Sequence, residues 1–270
     1  MDATSQPSWA GLFPDRDFQF TFGARPGNAE AFFASTDRRD ELLAARALWL
    51  DANPTRHLLS DPSASQMVEE CSRLAKVWQG LNPEGLEDLG RQWEPDFILL
   101  APDDKGRFAM QAAVVCFPSS WAPETKLGLP VHEIHVPVPT LNRDLGGRID
   151  KFLAGIKPGA AWERANWGLS RSSELNQHPA RDLPKLDPPF DADEAWVRIE
   201  NQVLHRLPET GGILFGIRLL NVSLAEVMSF PSTAAGLRRA IATMPIEIAD
   251  YKNITPAREY LLRLLTGELS

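Results

Sequence analysis

Two histidines, His132 and His135, lie in an apolar stretch where an imidazole ring needs a polar partner. The stretch is segment 131–139, VHEIHVPVP. Burying a ring nitrogen without a partner costs free energy, and a backbone carbonyl or a haem iron can each be that partner. Alternation along a strand places His132 on the side of Ile134 and His135 on the other side, so periodicity alone favours His132 for the interior. The prolines of VPVP can end regular pairing and redirect His135.

Three charged residues lie in two further segments with strand-like patterns. Arg218 follows the apolar run ILFGI (213–217), and a buried guanidinium needs an anion beside it. Glu200 across a hairpin is one candidate, and an anionic ligand is the other. Arg198 and Glu200 are two residues apart, so a strand places them on one face. That face is either solvated or lines a pocket in which Glu200 binds an ammonium group and Arg198 an anionic group.

Composition and missing motifs exclude several function classes. The sequence has no GxGxxG, GxxxxGK[ST], HExxH or GxSxG motif, which disfavours nucleotide-binding, zinc-protease and hydrolase readings. With 28 basic and 36 acidic residues, it lacks the excess of positive charge typical of nucleic-acid binding. Cys71 and Cys116 are too few for a disulfide framework. The N-terminus has no signal-peptide pattern. We therefore expect a soluble, cytoplasmic protein that binds no nucleic acid and no membrane.

The first half of the chain predicts a sheet with added helices. Alternation of Phe18, Phe20 and Phe22 with polar or small residues indicates a strand. A helix is expected at 37–50 with Asp37 as its N-cap, and a second at 65–79. Residues 96–101 and 107–117 flank the turn-forming PDDKG segment and predict a hairpin, in which the run 112–117 is buried.

The second half predicts another hairpin and a helical tail. A helix is expected at 141–153, ending near Gly155. The proline-rich segment 176–190 indicates a long ordered loop. Residues 194–206 and 213–220 surround LPETGG and predict a second hairpin. The tail, 233–265, is expected to be helical in two pieces, broken near Pro245 and 253–256. These elements predict an α+β fold with an antiparallel sheet.

Several motifs together resemble those of the haem-dependent oxidative N-demethylases. The similarity is collinear from about Phe13 to Leu264, and it is specific because separate motifs occur in the same order. The motifs are CFPSSW (116–121), KLG (126–128), IHVPVP (134–139), ERANW (163–167), RIENQVLHRLPETGGILFGIR (198–218) and DYK (250–252).

This resemblance implies a PAS-like antiparallel sheet with peripheral helices that binds haem b. It implies one haem-binding domain, residues 1–270, with helical additions at both ends. The implied reaction oxidises a small methylated amine such as dimethylamine with O2 and electrons from a separate reductase, and it releases formaldehyde.

The resemblance also assigns roles to individual residues. His135 is the expected iron ligand and His132 the alternative. Arg218 and Glu200 are the expected catalytic residues. Arg198 and Lys126 are expected near the haem propionates, and Trp167 on the wall of the pocket.

Three departures from the family pattern affect the amine pocket more than the haem. Leu219 follows Arg218 where the family usually has an aromatic residue, NVSL (221–224) replaces a more acidic turn, and YKN (251–253) replaces a YKG-like motif. Two other functions remain open: a haem-based sensor of gas or redox state, and a haem-free binding protein that kept the fold.

Overall fold

One antiparallel sheet organises the residues that a computed structural model describes, 7–19, 22–134 and 149–269. Its strand order is β1-β5-β6-β7-β3-β4-β2. This sheet with flanking helices confirms the α+β class and is compatible with a PAS-like arrangement. The strands are β1 (Arg25–Gly27), β2 (Leu58–Ser60), β3 (Asp96–Pro102), β4 (Phe108–Val114), β5 (Ala161–Ser170), β6 (Trp196–Arg206) and β7 (Ile213–Ser223).

In the described chain a 3-10 turn precedes the first strand, and helices lie between the strands and after the last one. Among the described residues, no helix has the length and apolar character needed to cross a membrane. The helices are α1 (Ala29–Phe33), α2 (Arg39–Ala52), α3 (Pro54–His57), α4 (Ser65–Gln79), α5 (Leu86–Gln92), α6 (Val131–Ile134), α7 (149–155), α8 (Leu224–Met228), α9 (Pro231–Thr243), α10 (Ile246–Tyr251) and α11 (Arg258–Leu264). Single 3-10 turns occur at Ser8–Leu12, Pro62–Ala64, Pro123–Thr125, Pro179–Arg181, Ala192–Glu194 and Thr255–Ala257.

The two faces of the sheet have different surroundings. We call the face that carries Val197, Ile199 and Val203 the helical face, because residues of the N-terminal and C-terminal helices pack against it. We call the opposite face, which carries Arg198 and Glu200, the polar face. Part of the polar face is apolar and packs against residues of α6 and α7. The alternation of strand side chains therefore decides which residues can form a site.

Most predicted elements are confirmed. The helix at 65–79 and both hairpins form, and the segment 112–117 is buried throughout. The proline-rich loop 176–190 contains one 3-10 turn and no strand. The tail breaks near Pro245 and Asn253 as expected, although this yields three helices, α9 to α11. Residues 149–155 are helical near the end of the helix predicted at 141–153, and 141–148 lie outside the described residues.

The strand predicted around Phe18 and Phe22 is wrong. Phe18 packs against Trp167 with ring centroids 6.5 Å apart, and its backbone N–H donates to the Thr243 hydroxyl at 2.8 Å. The ring of Phe22 packs against that of Phe152, with ring centroids 4.7 Å apart. The two rings join clusters on different faces of the sheet. The aromatic alternation thus serves two separate cores and does not form a strand. Phe20 lies outside the described residues.

Two local predictions are also wrong. Residues 131–134 form the helical turn α6 and not a strand, because the Glu133 and Ile134 N–H groups donate to the Pro130 carbonyl at 2.9 and 3.0 Å. Alternation therefore cannot decide which way His132 points. The helix predicted to start after Asp37 begins at Arg39, and its N-cap residue makes no side-chain capping bond.

A buried ion pair fixes the corner where β4 ends. One carboxylate oxygen of Asp96, at the start of β3, accepts from Arg46 Nη1 at 2.5 Å and from the Cys116 N–H at 2.9 Å. The other accepts from the Phe117 N–H at 2.8 Å. The side chains of Arg46 and Asp96 are 0% and 2% exposed. Asp96 thereby joins helix α2, strand β3 and the CFPSSW corner.

We expect the substitution Asp96→Ala to reduce the free energy of unfolding by about 3–5 kcal/mol, because it leaves a buried guanidinium without its counter-ion. Urea denaturation measures this change. Glu209→Ala is the matched control, since Glu209 pairs with Arg73 at the same 2.5 Å but with side chains 60% and 52% exposed. The control should lose less than about 1 kcal/mol. Equal losses in the two variants would contradict the role given to burial.

Candidate functional site

Four polar side chains form a patch on the polar face of β5 and β6. In the register of these strands, Arg164 lies opposite Gln202 and Asn166 lies opposite Glu200. Directly opposed residues of antiparallel strands share a face. The Gln202 amide donates to Glu200 Oε2 at 2.8 Å. Beside them, the face is open at Gly168, because a Cβ atom added there would meet nothing within 4 Å. We call Arg164, Asn166, Glu200 and Gln202 the polar patch.

Lys252 brings a cation from the C-terminal helices to this patch. It directly follows α10, and its Nζ donates to the Trp167 carbonyl at 2.5 Å and to Asn166 Oδ1 at 3.3 Å. Burial lowers the pKa of Lys252 to about 8, Glu200 opposes this shift, and Arg164 adds to it. The ammonium therefore lies within the electrostatic field of the patch.

Arg164 is the least compensated charge of the patch. Burial lowers the pKa of its guanidinium, and Glu200 only partly opposes this shift. The guanidinium lies over the Phe22 ring, with its central carbon 4.9 Å from the ring centroid. Among the described residues it has no hydrogen-bond acceptor, and its Nε is buried without a partner. An arginine in this setting is available to an anion.

Arg198, on the same face, uses its guanidinium to hold two loops. Its Nη2 donates to the Phe117 and Leu175 carbonyls at 2.9 and 2.6 Å, its Nη1 to the Glu174 carbonyl at 3.1 Å, and its Nε to the Ser119 hydroxyl at 2.7 Å. Burial lowers the pKa of Arg198 to about 10, against the effect of two carboxylates. These bonds anchor loops at the border of the polar face. Its predicted contact with a propionate stays a prediction.

Arg218 lies on the helical face, and of the two partners considered for it, the ion pair with Glu200 is wrong. Its Nη1 pairs with Glu94 at 2.8 Å, and its Nε and Nη2 donate to the Phe32 and Ala34 carbonyls at 2.7 and 2.6 Å. In the hairpin register Arg218 lies opposite Asn201, so the sheet separates it from Glu200. The catalytic role predicted for Arg218 gains no support from this position.

The remaining predicted residues comprise one outside the described part of the chain and three within it. His135 lies outside the described residues. His132 is in α6, 31% exposed at its side chain and 3.7 Å from a carboxylate oxygen of Glu133. Lys126 is half-buried and directly follows the 3-10 turn Pro123–Thr125. Trp167 packs on the helical face against Phe13, with ring centroids 5.3 Å apart. Its ring and carbonyl position Lys252.

Sequence reasoning missed Arg164, Asn166 and Lys252 as site residues. The signal for the first two was present, because they are two residues apart in ERANW and alternation places them on one face. Lys252 belongs to the DYK motif, but 86 residues separate it from Asn166. Only the packing of α10 against the edge of β5 shows that these residues meet.

A comparison with protein-family models finds a match that includes this part of the chain. Residues 63–262 match the model of the haem-dependent oxidative N-demethylase, alpha subunit-like, family. The match includes the polar patch and Lys252. It covers most of the sequence and thus supports the resemblance found in the motifs.

We expect Arg218→Lys to lower the free energy of unfolding by about 1–3 kcal/mol, because a lysine cannot reproduce three hydrogen bonds in fork geometry. Burial alone would raise the pKa of Glu94, but bonds from Arg218 and Thr36 outweigh it and leave the pKa below its usual value. The stability that this low pKa provides is present above the pKa of an unfolded glutamate, and it is lost as the pH falls through the folded value.

The measurement is urea denaturation at pH 7 and at stepwise lower pH. The loss caused by Arg218→Lys should shrink as Glu94 becomes protonated. A variant that is as stable as the parent protein, but impaired only in amine oxidation, would contradict the structural role and restore the catalytic one.

Proposed function

The chain belongs to the haem-dependent oxidative N-demethylase, alpha subunit-like, family, and we propose that it removes a methyl group from a small secondary amine such as dimethylamine. The proposed reaction uses haem b, O2 and electrons from a separate reductase, and it releases formaldehyde. In this proposal residues 1–270 form one haem-binding domain. A separate reductase is included because the sequence has no nicotinamide or flavin fingerprint.

The carboxylate of Glu200 is the observation that carries the choice of substrate. Gln202 fixes Oε2 of this carboxylate, while among the described residues Oε1 accepts no hydrogen bond. A protonated amine has N–H groups that can donate to Oε1, and such charge-assisted bonds are stronger than neutral ones. Glu200 would therefore bind and orient the ammonium group, with the apolar side chain of Leu219 directly opposite on β7 to contact its methyl groups.

The residues on the polar face fit a haem group. Arg164 and Lys252 lack an ion-paired carboxylate among the described residues, and the face is open at Gly168. A propionate would supply the missing negative charge. When bound, haem supplies the oxygen activation that oxidation of a methyl group requires. The chain's own residues would bind the amine, orient it and exclude water from it.

His135 remains the proposed iron ligand. Its support is the IHVPVP motif and the packing of the residues on either side of 135–148. A hydrophobic cluster on the polar side of the sheet includes Val131, which precedes the segment, and Ile149 and Leu153, which follow it. The described residues on either side of 135–148 thus lie over the face that carries Glu200.

We expect His135→Ala to abolish or strongly shift the Soret band of the haem-loaded protein while circular dichroism shows an unchanged fold. His132→Ala is the matched control, and it should retain the band. The reverse outcome, loss of the band only in His132→Ala, would move the iron ligand to His132. No Soret band in the unsubstituted protein mixed with haem would favour a haem-free binding protein.

We expect Glu200→Gln to raise the KM for dimethylamine by about tenfold or more, since it removes a charged hydrogen-bond acceptor worth about 1.5–3 kcal/mol. Formaldehyde release with a reductase or a chemical reductant measures this effect. Glu226→Gln, at an exposed position of α8, should leave KM unchanged. An unaltered KM in Glu200→Gln would remove Glu200 from the amine site.

A protein that binds O2 reversibly and yields no formaldehyde from any methylated amine would favour the sensor function.

A further inference from the structure

We infer that Arg164 and Lys252 form a carboxylate-binding site on the polar face of the sheet. The inference deepens the proposed function and rests on it in part, because the propionates of haem are one source of a carboxylate there. A methylated amine that itself carries a carboxylate, such as N-methylglycine, is the other source. Both sources would present the same group, a planar carboxylate, to the guanidinium of Arg164 and the ammonium of Lys252.

The first support is the incomplete bonding of Arg164. A guanidinium has five N–H donors, and none of those of Arg164 has an acceptor among the described residues; its Nε is fully buried. Phe22 covers one face of the group, which leaves the edge of the fork for a ligand. Arg164 as a whole is half-buried. Because burying its Nε without an acceptor is costly, an anion bound at this fork would complete the bonding of the guanidinium.

The second support is the balance of charge around the patch. Arg164 and Lys252 both lie near Glu200, whose negative charge raises the pKa of each cation against the effect of burial. Within the described part of the chain, neither comes within the 4.0 Å ion-pair distance of any carboxylate oxygen. Glu200 already accepts from Gln202. Two cations therefore share one carboxylate at a distance, and one further negative charge would neutralise the patch.

The third support is the contrast with the other arginines of the sheet. Arg198 is buried and Arg218 is half-buried, and both donate to several carbonyls and side chains. The fold thus provides acceptors for arginines that have a structural role. Arg164 has no such acceptor within residues 7–19, 22–134 and 149–269. A bidentate carboxylate, the arrangement that arginine favours, would supply the acceptors that its fork lacks.

The first experiment compares two porphyrins that differ only in their carboxylates. The ligand-free protein is titrated with haem and with haem dimethyl ester, and the Soret absorbance gives both affinities. If a propionate occupies the site, the parent protein should bind haem at least about tenfold more tightly than the ester, a factor that corresponds to about 1.4 kcal/mol. Arg164→Gln and Lys252→Met should each lose most of this preference.

The second experiment tests the carboxylate of a substrate. The protein is titrated with N-methylglycine and with dimethylamine, and binding is followed by the shift in Tm, or by the Soret band where haem is bound. If the substrate supplies the carboxylate, N-methylglycine should bind at least about tenfold more tightly in the parent protein. Arg164→Gln should remove the difference. This experiment needs no turnover, so it also decides the matter if haem does not bind and the proposed function fails.

Arg206→Gln is the matched control. Arg206 also lies over an aromatic ring, Phe108, at 5.4 Å, but it donates to the Leu153 carbonyl at 3.4 Å and lies at the far end of β6. This variant should keep whichever preference the parent protein shows, for haem over haem dimethyl ester or for N-methylglycine over dimethylamine. Without ligand, Arg164→Gln should melt at the same or a higher temperature, because no hydrogen bond is lost.

Three outcomes would overturn the inference. In the first, the parent protein binds haem no more tightly than haem dimethyl ester and N-methylglycine no more tightly than dimethylamine. In the second, Arg164→Gln and Lys252→Met show the same difference in affinity as the parent protein. In the third, Arg164→Gln strongly lowers the Tm of the ligand-free protein. The last outcome would show that Arg164 has a structural role.

Discussion

The carboxylate of Asp96 is the constraint on which the arrangement around the site depends. It is the counter-ion of the fully buried Arg46, and it accepts from the backbone N–H groups of Cys116 and Phe117, just after strand β4. These bonds turn the chain at Phe117, whose carbonyl then accepts from Arg198. A continuous chain of polar contacts therefore runs from helix α2 through the start of β3 to the loops at the border of the polar face. Each member of this chain would be costly to bury alone.

The sheet separates structural charges from available ones. On the helical face, Arg218 is neutralised by Glu94 and by carbonyls near the end of α1, which allows the N-terminal helices to pack there. On the polar face, counting only partners in the part of the chain that the structure describes, Oε1 of Glu200 accepts no hydrogen bond, and Arg164 and Lys252 have no carboxylate within ion-pair distance. A folded protein usually pairs its buried charges. The concentration of unpaired groups on one face is therefore the physical argument for binding at that face.

The polar patch combines opposite charges in a way that suits its proposed ligands. Glu200 presents a carboxylate to a cation, and Arg164 and Lys252 present cations to an anion. The helical tail contributes directly, because Nζ of Lys252 donates to Asn166 of the patch and to the carbonyl of the neighbouring Trp167. The C-terminal helices thus have two functions: they cover the helical face, and they complete the polar patch at the edge of β5.

The sequence by itself determined the fold class, both hairpins, the helix at 65–79 and the family, because these depend on local periodicity, turn residues and motif order. It also identified Glu200 and placed it beside Arg198 and Gln202 on one strand face. Tertiary structure decided the rest. It paired Arg218 with Glu94, which is 124 residues away, used Arg198 to hold loops, and divided Phe18 and Phe22 between two cores. It also joined Lys252 to Asn166. Such contacts depend on how distant elements pack, and no local pattern in a single sequence records which charges will be neutralised by neighbours and which will be left for a ligand.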